Sequence, residues 1–147
     1  MVYFGTHRLS VYAYIIETKF EADDKYEPMC DIHERISCTK AFASEYGKGF
    51  GLIPEDSIFY KPNSLYGIVH YCVTIALSMI NTKFVTKLLL FLVVLSNLSS
   101  IYFAYILYFI LYDLCVVCVS IYAVNALMFK YSYSKFRIIV RNKNKVE

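Results

Sequence analysis

Cys115-Val116-Val117-Cys118 places two thiols three residues apart at the head of a strongly apolar run, Leu114 to Phe129. On a helix, residues three apart share a face, so these thiols can open and close a disulfide and carry two electrons. A helix N-terminus also offers partial positive charge and free N–H donors that stabilise a thiolate. Cys30 and Cys38 form a second pair in a polar, charged stretch. Apolar surroundings for the first pair imply a lipid-soluble electron partner, and the combination points to a membrane thiol–quinone oxidoreductase. One thiolate would attack an electrophile held among the spans, and its neighbour would displace the adduct and leave a disulfide. That disulfide must then be reduced from outside the membrane. A mobile loop carrying Cys38, with Cys30 as its own partner, would supply the relay by thiol–disulfide exchange.

Other uses of these residues stay open on the sequence alone. Two structural disulfides would consume all four thiols, although a C-x-x-C ring is small and stabilises little. A zinc site would need Cys30, Cys38 or His33 to complete the C-x-x-C half, so no metal is expected. Cys72 lies inside an apolar run with no partner in view and reads as a small packing residue. His7, His33 and His70 form no ligand-spaced set, and His70 within a span is either a packing residue or a substrate contact. Asn97-Leu98-Ser99 is a sequon placed mid-membrane, beyond the glycosylation machinery. No phosphate-binding glycine loop, serine triad or nucleic-acid motif occurs, so neither a tightly bound cofactor nor a nucleic-acid partner is expected.

The elements that must position the thiols follow from composition. The chain has 147 residues, 58% of them hydrophobic, and a mean hydropathy of +0.46. That is too apolar for an ordinary soluble domain of this size. Its charge-free runs are Leu65–Ile80, Leu88–Tyr112 and Leu114–Phe129. A span needs roughly 20 mostly apolar residues. The reading is one all-α membrane domain, 1–147, with transmembrane helices at about 2–19, 64–81, 88–111 and 113–131, a loop at 20–63 and a basic tail at 132–147. The last two helices form a tight hairpin turning near Tyr112 and Asp113. The first is the weakest, because His7 and Arg8 lie near its start and Arg8 must snorkel. No signal-peptide pattern is present, so no cleavage is expected.

Charge sets the orientation. Ten acidic and six basic residues lie between Glu17 and Lys61, whereas Lys83 and Lys87 mark the 81–87 loop and six basic residues from Lys130 onward face Glu147 alone. The positive-inside rule then puts both termini in the cytoplasm. The 20–63 loop and the Tyr112–Asp113 turn meet on the lumenal face, where disulfides form. Lysines three and five from the C-terminus, in Lys143–Glu147, match a dilysine retrieval signal of the endoplasmic reticulum.

The long loop reads as a lid. Asp31 and Glu34 form a capping box for a short amphipathic helix over Ile32–Tyr46, stopped by Gly47. Cys38, Phe42 and Tyr46 recur every four residues on one face. Gly47-Lys48-Gly49-Phe50-Gly51 then makes a turn that drives Phe50 and Leu52 downward.

Several of these segments resemble the vitamin K epoxide reductases over about Leu9 to Tyr131. They are Met29-Cys30-Asp31, Ile36-Ser37-Cys38, Gly47 to Leu52, Asn63-Ser64 and Leu111-Tyr112-Asp113-Leu114-Cys115-Val116-Val117-Cys118. The resemblance implies a four-transmembrane-helix bundle around a quinone pocket under a lumenal cap. It implies two-electron reduction of vitamin K 2,3-epoxide to the quinone and of the quinone to the hydroquinone, which links the activity to γ-glutamyl carboxylase. By the same resemblance, Cys118 attacks the substrate, and Cys115 resolves the adduct and receives electrons from Cys38. Cys30 exchanges with thioredoxin-like lumenal donors or another external dithiol. Asn63 and Tyr122 hydrogen-bond the quinone oxygens, and Phe42 closes over the ring. Coumarin anticoagulants would occupy this pocket. Three features depart from the family pattern: a shorter first span, Ile121 in place of a threonine, and a shorter stretch between Leu52 and Asn63. The same cysteines could run in reverse as a quinone-dependent thiol oxidase, and structural disulfides in a non-enzymatic membrane protein form the third reading.

Overall fold

A computed structural model describes residues 2–23, 25, 28–31 and 36–143. Four long helices and one short one carry most of it, and no strand occurs among the described residues. They are α1 (Val2–Ala22), α2 (Cys38–Ala43), α3 (Asn63–Ser78), α4 (Lys83–Tyr105) and α5 (Val116–Lys143). α1 packs on α3 and α5, and α4 packs on α5 and α3, which closes a four-helix ring; α2 rests on α1 and α5.

The helix ends follow from local chemistry. Thr82 caps α4 by accepting the Val85 N–H at 3.4 Å, a standard N-cap role. The Lys135 ammonium on α5 donates to the carbonyls of Ser78 and Ile80 at 2.6 and 3.0 Å. It thereby satisfies orphan acceptors and opposes the negative end of α3. α4 ends in a single π-helical turn, Ile106–Ile110, and an irregular link then leads to α5. In that link Asp113 is buried while Tyr112 is exposed with a φ of 50°.

The bundle mixes polar and apolar residues inside and exposes large apolar ones outside. On α1, Thr6, Ser10, Ala13 and Glu17 are buried, whereas Phe4, Tyr12 and Ile15 are exposed. On α4, Phe91, Leu98, Ile101 and Tyr105 face outward. Small residues at helix contacts and large apolar ones outside are the pattern of helices packed in lipid, and such a surface exceeds what soluble monomers leave bare. Lys83–Ile110 and Val116–Arg141 are long and apolar enough to cross a membrane. α3 has 16 residues and α1 carries a buried glutamate, so neither shares that signal.

Three expectations need correction. The lid helix does not run over Ile32–Tyr46: α2 begins at Cys38 and ends at Ala43, because Ser37 and Ser44 are extended. Residues 32–35, and with them Glu34 and His33, lie outside the described residues. Asp31 caps α2 across a closed disulfide instead, accepting the N–H groups of Cys38 and Thr39 at 2.6 and 3.2 Å. Leu52 is exposed and not driven downward. Finally, α5 continues as helix to Lys143 and does not stop near Tyr131; residues 144–147 of the dilysine signal lie outside the described residues.

Candidate functional site

The site starts at the head of α5. Cys115 occupies the cap position, and its sulfur accepts the Cys118 N–H at 3.3 Å. That contact places a backbone dipole on the sulfur and favours negative charge there. Both cysteines are free thiols, so the C-x-x-C stands open. Cys30 and Cys38 are joined by a disulfide. The Cys115 and Cys38 sulfurs lie 3.6 Å apart, both fully buried. Ala13, Ile16, Leu107 and Val117 pack around the cysteines, which shields this contact from water.

The lid is held so that Cys38 meets Cys115. Thr39 Oγ1 donates to Asp31 at 2.5 Å, beside the two backbone bonds already described. Burial pushes the Asp31 carboxyl up, but hydrogen bonds from Thr39, Ser37 and Cys38 outweigh that and hold it below its ordinary range. Asp113 accepts the Leu114 N–H at 2.9 Å and faces Lys40 on α2 at 4.0 Å. Lys48 pairs with Glu21 at the end of α1, and this partner raises the lysine's pKa. Gly49 and Gly51 adopt φ of 55° and 68° around Phe50 at 60°. The strained turn sets the Phe50 ring against Tyr66 and Phe103, with centroids 5.4 and 5.7 Å away.

Beneath the lid lies a cavity of about 360 Å³, lined among others by Phe42, Asn63, Cys118 and Tyr122. Every expected substrate contact therefore borders the same space as the expected nucleophile. The Asn63 amide is already engaged: its oxygen accepts the Phe50 N–H at 2.9 Å and its nitrogen donates to the Tyr46 carbonyl at 2.5 Å. One amide N–H and one lone pair remain for a ligand. Cys72 lies on the exposed face of α3, so it is not the core packing residue expected.

Sequence reasoning missed two polar elements. Ser64 donates to the buried Glu17 at 2.6 Å, and Tyr71, Asn125 and Ser100 form a buried chain of bonds at 2.9 and 2.8 Å. The buried stripe Thr6-Ser10-Ala13-Glu17, at spacings of three and four, was a readable sign of the first. The second joins helices far apart in the chain and left no local signal.

An open dithiol bordering a cavity, with a disulfide in contact behind it, defines a thiol-dependent oxidoreductase. Comparison with known proteins narrows the class. Residues 5–133 match the vitamin K epoxide reductase family. The chain is 35% identical over 131 residues to vitamin K epoxide reductase complex subunit 1 of Rattus norvegicus, covering 86% of this chain and 81% of that one. To the same subunit of Mus musculus it is 34% identical over 85 residues, an alignment spanning 55% of this chain and 53% of the mouse protein. The chain belongs to the vitamin K epoxide reductase family.

Proposed function

We propose that the chain is an integral-membrane reductase of vitamin K 2,3-epoxide and of the quinone it yields. In this reading all four long helices span the endoplasmic reticulum membrane, both termini face the cytoplasm, and the lid carrying Cys30 and Cys38 lies in the lumen.

The observation that carries the reading is the 3.6 Å approach of the Cys115 sulfur to Cys38, with Cys118, three residues on, lining the cavity. Cys118 as thiolate attacks the epoxide ring and opens it. Cys115 then attacks the Cys118 sulfur, forming the Cys115–Cys118 disulfide and releasing the quinone, while the epoxide oxygen leaves as water with the two thiol protons. The reduced lid pair restores the site: Cys38 attacks Cys115 and frees Cys118, and Cys30 attacks Cys38 and frees Cys115. This leaves Cys30–Cys38 oxidised and the bundle pair reduced, the state seen here. A thioredoxin-like lumenal dithiol reduces the lid pair, and the hydroquinone serves γ-glutamyl carboxylase. Asn63 and Tyr122 hold the ring oxygens, whose pairing in a dry cavity favours binding, and Phe42 covers the ring. No step needs a metal or bound cofactor.

Membranes expressing the chain are expected to reduce vitamin K epoxide with dithiothreitol, and Cys118→Ala is expected to abolish it. Equal reduction by the variant would remove Cys118 as the nucleophile.

A further inference from the structure

Around the lid disulfide the fold gathers a set of metal-type ligands that the relay alone does not require. One ligand atom from each of Cys30, Asp31 and Cys38 lies within 4.8 Å of the other two. The Cys115 sulfur adds a fourth, 3.6 Å from that of Cys38. Two thiolates on one tetrahedral zinc ion stand about 3.8 Å apart, so Cys38 and Cys115 already have that spacing. The Asp31 carboxylate accepts three hydrogen bonds, from the Cys38 and Thr39 N–H groups and the Thr39 hydroxyl. A carboxylate has about four acceptor positions, so one remains for a cation. The Cys115 sulfur in turn accepts the Cys118 N–H at 3.3 Å. Outer hydrogen bonds of this kind orient the ligands of metal sites. Cys38 and Cys115 have no exposed surface, but Cys30 keeps 7% of its own and Asp31 is half-buried, which leaves a cation a way in.

We propose that the reduced chain binds a zinc-like divalent cation through the Cys30, Cys38 and Cys115 thiolates and the Asp31 carboxylate, and that the bound cation arrests the relay. With Cys30 and Cys38 joined, as here, their sulfurs are spent on each other and the site is closed. Reduction of that bond by a dithiol frees both, and the three thiols release their protons as the cation enters. Three soft sulfurs select such a cation over calcium or magnesium. Held on the metal, neither Cys38 nor Cys115 can attack the other. Cys118, which lines the cavity, stays outside the set. The arrest rests on the relay reading above; the binding does not.

The test uses the purified full chain in detergent micelles, reduced with a water-soluble phosphine, freed of excess reductant and kept without oxygen. Cobalt(II) is the probe. The reduced wild type is expected to take up about one equivalent, with the absorption of a tetrahedral thiolate complex, and zinc(II) should displace it. The oxidised chain should take up none. Asp31→Asn and Cys115→Ser are each expected to weaken binding at least about tenfold, whereas Cys118→Ser should leave it unchanged. Zinc(II) should also shield Cys30, Cys38 and Cys115 from alkylation, while the exposed Cys72 continues to react. No uptake by the reduced wild type, or uptake lost in Cys118→Ser, would overturn the inference. The wild-type labelling pattern decides the matter even where a variant does not fold. With the phosphine as reductant, zinc(II) should stop epoxide reduction; unchanged turnover would overturn the arrest. Metal uptake by a chain that never reduces the epoxide would sink the reductase reading and leave the site, and reduction without uptake would do the reverse.

Discussion

At the scale of single residues, the chemistry depends on a thiol meeting a disulfide at 3.6 Å, and on a carboxylate that keeps them together. Asp31 receives three hydrogen bonds from Cys38 and Thr39. Its folded pKa lies below the unfolded value, so its contribution is present above the ordinary carboxylate pKa of about 4 and is lost as pH falls through the lowered value. The Cys30–Cys38 bond is expected to become more reactive toward a water-soluble phosphine as the medium is acidified below that range. Asp31→Asn should show a raised rate already at neutral pH, about threefold to tenfold. An unchanged neutral rate would mean that Asp31 does not anchor α2. The thiol pairs themselves were legible from spacing alone. The pairing of Cys30 with Cys38 was legible too, but which of the two pairs is oxidised was not, because redox state leaves no pattern in the sequence.

Among the elements, the lid turn is the most exposed to test. At Gly51 an added Cβ would run into the Tyr46 ring, on a backbone with φ of 68°. Such strain costs on the order of 1–3 kcal/mol. Gly51→Val is therefore expected to loosen Phe50 and raise KM for the quinone about tenfold, with a smaller change in kcat; unchanged KM would separate the lid from substrate binding. Asn63→Ala removes the bonds to Tyr46 and Phe50 as well as any to the ligand. It should raise KM too, and also speed proteolysis of the 44–62 segment, which a purely ligand-binding role would leave unchanged. The glycine turn could be read from sequence because positive φ has few other solutions. The lid helix was misplaced because Asp31 has the sequence context of a cap for a helix starting at Ile32. It caps instead a helix that the disulfide brings to it, beginning at Cys38.

The whole molecule buries polar residues such as Thr6, Thr74 and Asn125 beside apolar ones such as Ile16, Leu89 and Met128, and leaves many large apolar side chains on its outer surface. α4 and α5 declare themselves by length and hydropathy. α1 was the least legible helix because its informative face is the buried one, where Thr6, Ser10 and Glu17 dilute the hydropathy. The four-span reading makes a direct prediction. A glycosylation acceptor inserted in the 53–58 stretch should be modified in microsomes, and a tag after Glu147 should remain open to cytosolic protease. The opposite result at either place would invert or break the topology.

In this reading the reduced lid pair passes electrons to the cavity disulfide, and turnover of Cys38→Ala tests that relay most directly. Epoxide reduction by membranes would be compared with a thioredoxin-like protein and with dithiothreitol as reductant. The variant is expected to lose at least about 100-fold with the protein donor and to keep most of its rate with dithiothreitol, which reaches the C-x-x-C without the lid. Equal loss with both reductants, or full activity with the protein donor, would contradict the relay.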